Sequence, residues 1–135
     1  IMFQWIMTEK EKIEVLIKTN RPENIKLGLN LAQTLKIFGL NLKGVNLKGA
    51  DLIGANLMSA DLSHSILSFA NLKGANLRNA NIKGAVWSRV NMNSANLEAA
   101  NLKSIHLEGA NLINTNFERA DLRDAILNGV HLEYS

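Results

Sequence analysis

Cysteine is absent from this chain. That removes a disulfide framework, a thiol nucleophile and any cysteine-based zinc site, and it makes an intracellular, cytoplasmic protein the default expectation. A strong charge of one sign is absent too. Residues 1–39 carry six Lys/Arg and four Asp/Glu, and residues 40–135 carry nine and eight, so the longer part is nearly neutral at +1. No long hydrophobic run occurs. Ile1-Met2-Phe3-Gln4-Trp5-Ile6-Met7 is apolar but ends after seven residues. It has no basic start, no full apolar region and no small-residue cleavage site, so it is not a secretory signal. It is far too short to span a bilayer, and no membrane is expected as a partner. Two expectations remain for it: it packs on the residues that follow, or it is the cut end of a larger chain, which the missing initiator Met favours. The phosphate-cradling patterns G-x-x-x-x-G-K and G-x-G-x-x-G and the nucleophile pattern G-x-S-x-G are also missing.

What is present is a five-residue unit repeated nineteen times from Leu40 to Tyr134 without an insertion. It reads A-(N/D)-L-x-x, as in Ala50-Asp51-Leu52-Ile53-Gly54. The central position is Leu at fifteen of nineteen sites, the exceptions being Ile82, Trp87, Met92 and Phe117. Two residues earlier the chain has Ala at twelve of nineteen sites, with Ser65 and Thr115 as polar exceptions. Apolar residues two apart mean a short extended piece with one buried face. A helix cannot use a period of five, because at about 3.6 residues per turn the Leu positions would wander around the whole cylinder. Extended pieces of about three residues joined by regular turns must bend in one sense. Such short units bury a face only by stacking, so the expected fold class is an all-β solenoid whose main-chain groups pair between coils.

The turns support this reading. Two residues after each centre lies the third member of a four-residue turn. A type II turn needs positive φ there, and Gly44, Gly49, Gly54, Gly74, Gly84, Gly109, Gly129, Asn79 and Asn114 suit it. At Phe69, Arg89, Arg119 and Tyr134 a type I-like turn is expected, since these side chains resist φ > 0. Asn or Asp precedes the centre in fourteen of nineteen units. Its short side chain can bond nearby backbone or its copy in the next coil, which marks it as structural.

Residues 1–39 read differently. Thr8-Glu9-Lys10-Glu11 fits a capping box for a helix over about Glu9–Lys18. Asn20 looks like a second N-cap, with Pro22 in the first turn and Glu23 three on. Ile25, Leu27, Leu29, Leu31, Ala32, Leu35 and Phe38 form a wide apolar stripe to about Phe38, and Gly39 ends it. The expected domains are therefore a helical hairpin, 1–39, capping the first coil of a solenoid, 40–135. A separate ligand-binding role for the hairpin has no support in the sequence.

On these residues the chain resembles the pentapeptide-repeat proteins, over 40–134. The resemblance implies four units per coil and a right-handed quadrilateral β-helix. Nineteen units then make about 4.75 coils, a rod of roughly 23 Å at the usual spacing of paired strands. The resemblance is a weak guide to function. Some family members dimerise end to end through the C terminus. Others mimic duplex DNA and inhibit type II topoisomerases, which needs a strongly acidic rod that this near-neutral chain does not supply.

Stacking every twenty residues sorts side chains into columns. Lys43, Ser63, Lys83, Lys103 and Arg123 form a basic stripe with one gap. Beside it run Asn41, Asp61, Asn81, Asn101 and Asp121, and no aromatics interleave. An ordinary solvated face is the bland reading, and phosphate contact is the sharper one. A second column is more unusual. Asn/Asp gives way at Ile66, Val86, His106, Ile126 and His131, and the first four share one face with Phe69 and Arg89. Trp87 occupies the core column of that face. An apolar strip on a small protein marks contact with something. A partner or second copy docks there, the N-terminal residues fold over it, or it is merely tolerated. Leu127, Val130, Leu132 and Tyr134 form an open C-terminal end suited to pairing with another chain. His64, His106 and His131 fall on different faces or corners, no pair of them has a metal-ligand spacing with a carboxylate in support, and no Ser has a neighbouring His–Asp set. No deep pocket is expected in a regular solenoid. The sequence thus predicts a non-enzymatic structural or protein-interaction module, with no cofactor or metal. Its expected partner is a protein or a second copy rather than nucleic acid.

Overall fold

The computed structural model describes residues 6–133, so the expectations for Ile1–Trp5 and Tyr134 lie outside the described residues. Two helices lead into the repeats, α1 (Glu9–Lys18) and α2 (Pro22–Thr34). The expected capping box opens α1. Thr8 Oγ1 accepts the Glu11 N–H at 3.0 Å, and the Glu11 carboxylate accepts the Thr8 N–H at 3.4 Å. Ile13, Glu14 and Ile17 form its buried face, with Gly28 of α2 at the crossing. A Cβ at Gly28 would lie 2.9 Å from Ile17 Cγ1 and 3.2 Å from the Ile13 carbonyl, so only glycine allows this approach.

Both ends of α2 differ from the expectation. Asn20 does not cap the helix. It takes φ 55 in the loop, and Arg21 holds the cap position without a side-chain bond. Asn tolerates left-handed backbone better than most residues, which suits the tight reversal between the helices. Nor does α2 reach Phe38. Lys36 adopts φ 56, its N–H donates to the Gln33 carbonyl at 3.2 Å, and the Ile37 N–H donates to the Ala32 carbonyl at 2.8 Å. This is a Schellman stop with lysine where glycine is usual. The apolar stripe is therefore only partly used. Ile25 and Ala32 are buried, Leu29 partly so, while Leu27, Leu31, Leu35 and Phe38 are exposed.

From Leu40 the chain winds in strict register. Residue i bridges residue i+20 in parallel, from Asn41↔Asp61 to Asn111↔His131. Each bridging residue uses both main-chain groups. The Asn71 N–H donates to the Ala50 carbonyl at 2.9 Å, and the Asn71 carbonyl accepts the Leu52 N–H at 2.8 Å. The turns pair as well, as in Gly54 N–H to the Lys73 carbonyl at 2.8 Å. Four units thus close each twenty-residue coil, a quadrilateral solenoid. Pairing is confined to isolated bridges, and the three-residue extended pieces form no longer strand among the described residues. A turn every fifth residue leaves one bridging position per side. The central residues from Leu42 to Leu112 and the Ala positions between them are buried in one continuous core.

The turns overturn one expectation. Phe69, Arg89 and Arg119 take φ 63, 56 and 60, and every turn site from Gly44 to Gly129 has positive φ, including Ser59, His64, Ser94, Ala99, Ser104 and Asp124. Tertiary pairing overrides the local preference. In this conformation the Phe69 N–H donates to the Ser88 carbonyl at 3.0 Å and the Arg89 N–H to the Glu108 carbonyl at 2.8 Å, the same pairing that glycine turns such as Gly54 make. The left-handed backbone costs a non-glycine residue roughly 1–2 kcal/mol. Ala99 is exposed at such a site with φ 59. Ala99→Gly is therefore expected to stabilise the fold by about 0.5–1 kcal/mol, after the extra chain entropy of glycine is subtracted. Urea unfolding checks this, and a lower midpoint would contradict it.

The hairpin also meets the first edge of the solenoid. In later coils each N–H at the Asn/Asp position donates one coil back. Asn41 has no such coil, and the carboxylate of buried Glu14 accepts its N–H instead.

Candidate functional site

The most informative surface is defined by bonds that are missing. At all fourteen Asn/Asp sites the side-chain oxygen accepts the N–H two residues on, from Asn41 with Lys43 at 3.3 Å to Asp121 with Arg123 at 3.1 Å. Among the described residues, bonding between copies in successive coils occurs only from Asn116 Nδ2 to Asn96 Oδ1, at 3.4 Å. A hydrogen bond of the local kind contributes on the order of 1 kcal/mol. Ile66, Val86 and Ile126 cannot form it.

Those residues are consecutive rungs of one face, joined as Ile66↔Val86↔His106↔Ile126. Ile66 is 39% exposed, Val86 38%, Ile126 36% and the adjacent Phe69 55%. The strip is contiguous and open to water. Two cations flank Phe69, with Lys48 Nζ and Arg89 Cζ each 5.8 Å from the ring centroid. Such contacts contribute about 0.5–1 kcal/mol at exposed sites. One coil further on, Glu108 accepts the Ser88 hydroxyl at 2.9 Å and lies 3.4 Å from His106 Nδ1. Its own main-chain N–H, then the Ser88 hydroxyl, hold the Glu108 carboxyl below the usual carboxylate range, with a smaller contribution from His106. The strip is therefore apolar, with cations at the Phe69 corner and an anion next along the rod. Lys48 and Glu108 escaped the sequence reading. The signal was their place in one column, directly after the centre on this face.

Beneath the strip, the Trp87 indole is fully buried and its Nε1 donates to Ser65 Oγ at 3.0 Å. Ser65 stands at an Ala position one coil earlier, where its hydroxyl meets the only polar atom of the indole. Thr115 is likewise buried and donates to the Met92 carbonyl at 2.8 Å.

The basic column is less coherent than its sequence suggests. Lys43 and Lys83 are exposed, but Ser63 between them is buried and donates to Asp61 at 2.6 Å. Lys103 is half-buried. Arg123 is held by Asp121, at 2.7 Å from Nη2 and 2.9 Å from Nε. The Arg123 side chain, then its N–H, hold the Asp121 carboxyl down at about 2. At the far end Leu127 and Leu132 are exposed and Val130 half-buried. His64 lies over the turn of Gly84. Among the described residues no group of three His, Cys, Asp or Glu side chains could hold a metal ion, and no helix is long and apolar enough to cross a membrane.

Comparison with known proteins places this geometry. The family model for pentapeptide repeats matches with eight copies, over residues 41–79, 70–106 and 100–133. A crystal structure of the pentapeptide repeat protein Rfr23 from the cyanobacterium Cyanothece 51142 is 37% identical, with a TM-score of 0.66, covering 67% of this chain and 62% of that one. A pentapeptide repeat protein of the Arabidopsis thaliana thylakoid lumen is 26% identical, with a TM-score of 0.53, covering 67% and 59%. QnrB1, a plasmid-mediated fluoroquinolone resistance protein, is 20% identical with a TM-score of 0.52, covering 72% and 59%, a likeness of fold alone. The aligned part thus spans about three fifths of each of these proteins. Among curated proteins none matches. Such repeat proteins form right-handed quadrilateral β-helices, in keeping with the coil described above.

Proposed function

We propose a function from one premise: the chain belongs to the pentapeptide-repeat family, whose members are generally structural or interaction modules. In our reading it is a non-enzymatic interaction module that binds through the strip Ile66–Val86–His106–Ile126, bordered by Phe69 and Arg89. The observation that carries this is that four of the five departures from Asn/Asp stack on one face, three of them exposed apolar side chains, while the fifth, His131, lies in another column. Four substitutions in one column forgo a repeated stabilising bond, which points to a use for the surface they create.

A second copy of this chain suits the strip best. A two-fold axis perpendicular to the rod, between Val86 and His106, would set Ile66 of one copy against Ile126 of the other. The same operation brings Arg89 near Glu108 of the second copy. An isologous contact of this kind is the commonest in soluble oligomers. A foreign protein with an apolar ridge would use the same residues. The last described coil, at Leu127, Val130 and Leu132, is the competing surface for self-association.

Val86→Lys tests the proposal. Val86 is exposed, so the fold should hold to within about 0.5 kcal/mol. The buried charge would abolish association by raising the dissociation constant at least about a hundredfold. Sedimentation velocity reads this, and an unchanged profile would overturn the proposal. DNA mimicry fits poorly, because nine Lys/Arg offset eight Asp/Glu in 40–135. No inhibition of gyrase supercoiling at micromolar protein is expected, and inhibition would contradict this reading.

A further inference from the structure

The first coil of the solenoid is incompletely covered, and the gap has a shape. Ala50 and Ala55 are 8% and 7% exposed, whereas Ala60 to Ala110 at the same repeat position are at most 1%. Over them, between α2 and residues 48–56, runs a groove of about 820 Å³. In every later coil the bridging residue turns both its N–H and its C=O toward the preceding coil. In the first coil Asp51 and Asn56 bridge Asn71 and Asn76 in the same register and line the groove, which places those groups on its side. None of the four has a partner among the described residues. Asn41, by contrast, is met by Glu14. The cap thus meets the edge at Asn41 and leaves Asn46, Asp51 and Asn56 without such partners among the described residues, with the groove running along the last two.

We infer that this groove is a binding site for an extended, near-neutral peptide, which pairs in parallel with Asp51 or Asn56 as a missing coil would. The pairing follows from the register seen elsewhere. One peptide carbonyl accepts the Asp51 N–H, and the peptide N–H two residues later donates to the Asp51 carbonyl. Small side chains would sit against Ala50 and Ala55. The walls suit a peptide rather than an ion. Asn30 and Gln33 offer amide groups along α2, Ile25 and Leu29 an apolar floor, and Glu23 and Asp51 balance Lys26 and Lys48. Added strands of this kind draw affinity from main-chain bonds and selectivity from alternate side chains. This site adjoins the Phe69 corner of the apolar strip through Lys48, but its main-chain groups lie elsewhere and it does not rest on the strip.

The test titrates the full 135-residue chain, labelled with nitrogen-15, with the neutral two-unit peptide acetyl-Ala-Asn-Leu-Asn-Gly-Ala-Asn-Leu-Asn-Gly-amide. The amide signals of Asp51, Asn56 and the α2 residues Ile25 to Gln33 should shift together. Asn30→Trp places an indole in the groove and should weaken binding about tenfold or more. Gln33→Trp, on the next turn of α2, should do the same, which guards against a variant that misfolds. Binding should survive Val86→Lys. No shift at millimolar peptide, shifts confined to the last coil at Phe117, Leu122 and Leu127, or affinity indifferent to both Trp variants would each overturn the inference.

Discussion

Trp87→Ala is expected to lower the free energy of unfolding by about 3–5 kcal/mol, the range for truncating a large buried aromatic. The indole is fully buried in the column that places Leu67 and Leu107 in the neighbouring coils. Those coils are fixed by main-chain bonds above and below, as Leu67 N–H to the Val86 carbonyl at 3.0 Å and Trp87 N–H to the His106 carbonyl at 2.8 Å. A ladder held so closely cannot collapse into the cavity, so the cost should lie at the upper end. Ser65 adds to it, because its buried hydroxyl loses the indole Nε1 as a partner. Removing Ser65 alone leaves the indole N–H unsatisfied and should cost roughly 1–3 kcal/mol. In the Trp87→Ala background that cost should vanish. Urea unfolding of the two single variants and the double variant checks the coupling, and strict additivity would contradict the account.

Gly28→Val is the second large effect. A Cβ at Gly28 meets both a side chain of α1 and the Ile13 carbonyl, and the backbone contact cannot yield by a rotamer change. Overpacking here should cost about 1–3 kcal/mol. The consequence is local in a particular way. Moving α1 withdraws Glu14 from the Asn41 N–H, the edge donor it satisfies. In a solenoid, where each coil contacts only its neighbours, damage at one end weakens the nearest coil first. Hydrogen exchange should therefore accelerate at Asn41 and along the first coil, while Ile105 and Ala110 change little. Uniform acceleration along the rod would contradict this picture.

The solenoid was legible because its cause is periodic. Leu at every fifth position and Ala two before it dictate stacking whatever the details, and the capping box of α1 is equally local. Errors arose where tertiary bonds decided. Phe69, Arg89 and Arg119 adopt left-handed turns since the coil demands the same geometry at every corner, and a side-chain preference of one or two kcal/mol yields to it. Lys36 ends α2 before Phe38 for a similar reason, as the chain must leave the helix to enter the first coil. The column Ile66, Val86, His106, Ile126 could be found by counting in twenties. The cations around Phe69 and the Glu108–Ser88 contact depend on side-chain reach between coils, which spacing does not reveal. The groove beside α2 was invisible for the same reason, since it depends on where the helix stops.

Light scattering across a dilution series, on the unmodified chain, Val86→Lys and Leu132→Lys side by side, tests the proposed use of the strip most directly. The 14.9 kDa chain should show a mass that rises with concentration toward a dimer. Leu132→Lys should follow it, and Val86→Lys should stay monomeric throughout. A unmodified chain that is monomeric at every concentration, or a dimer lost in Leu132→Lys and kept in Val86→Lys, would contradict association through the strip.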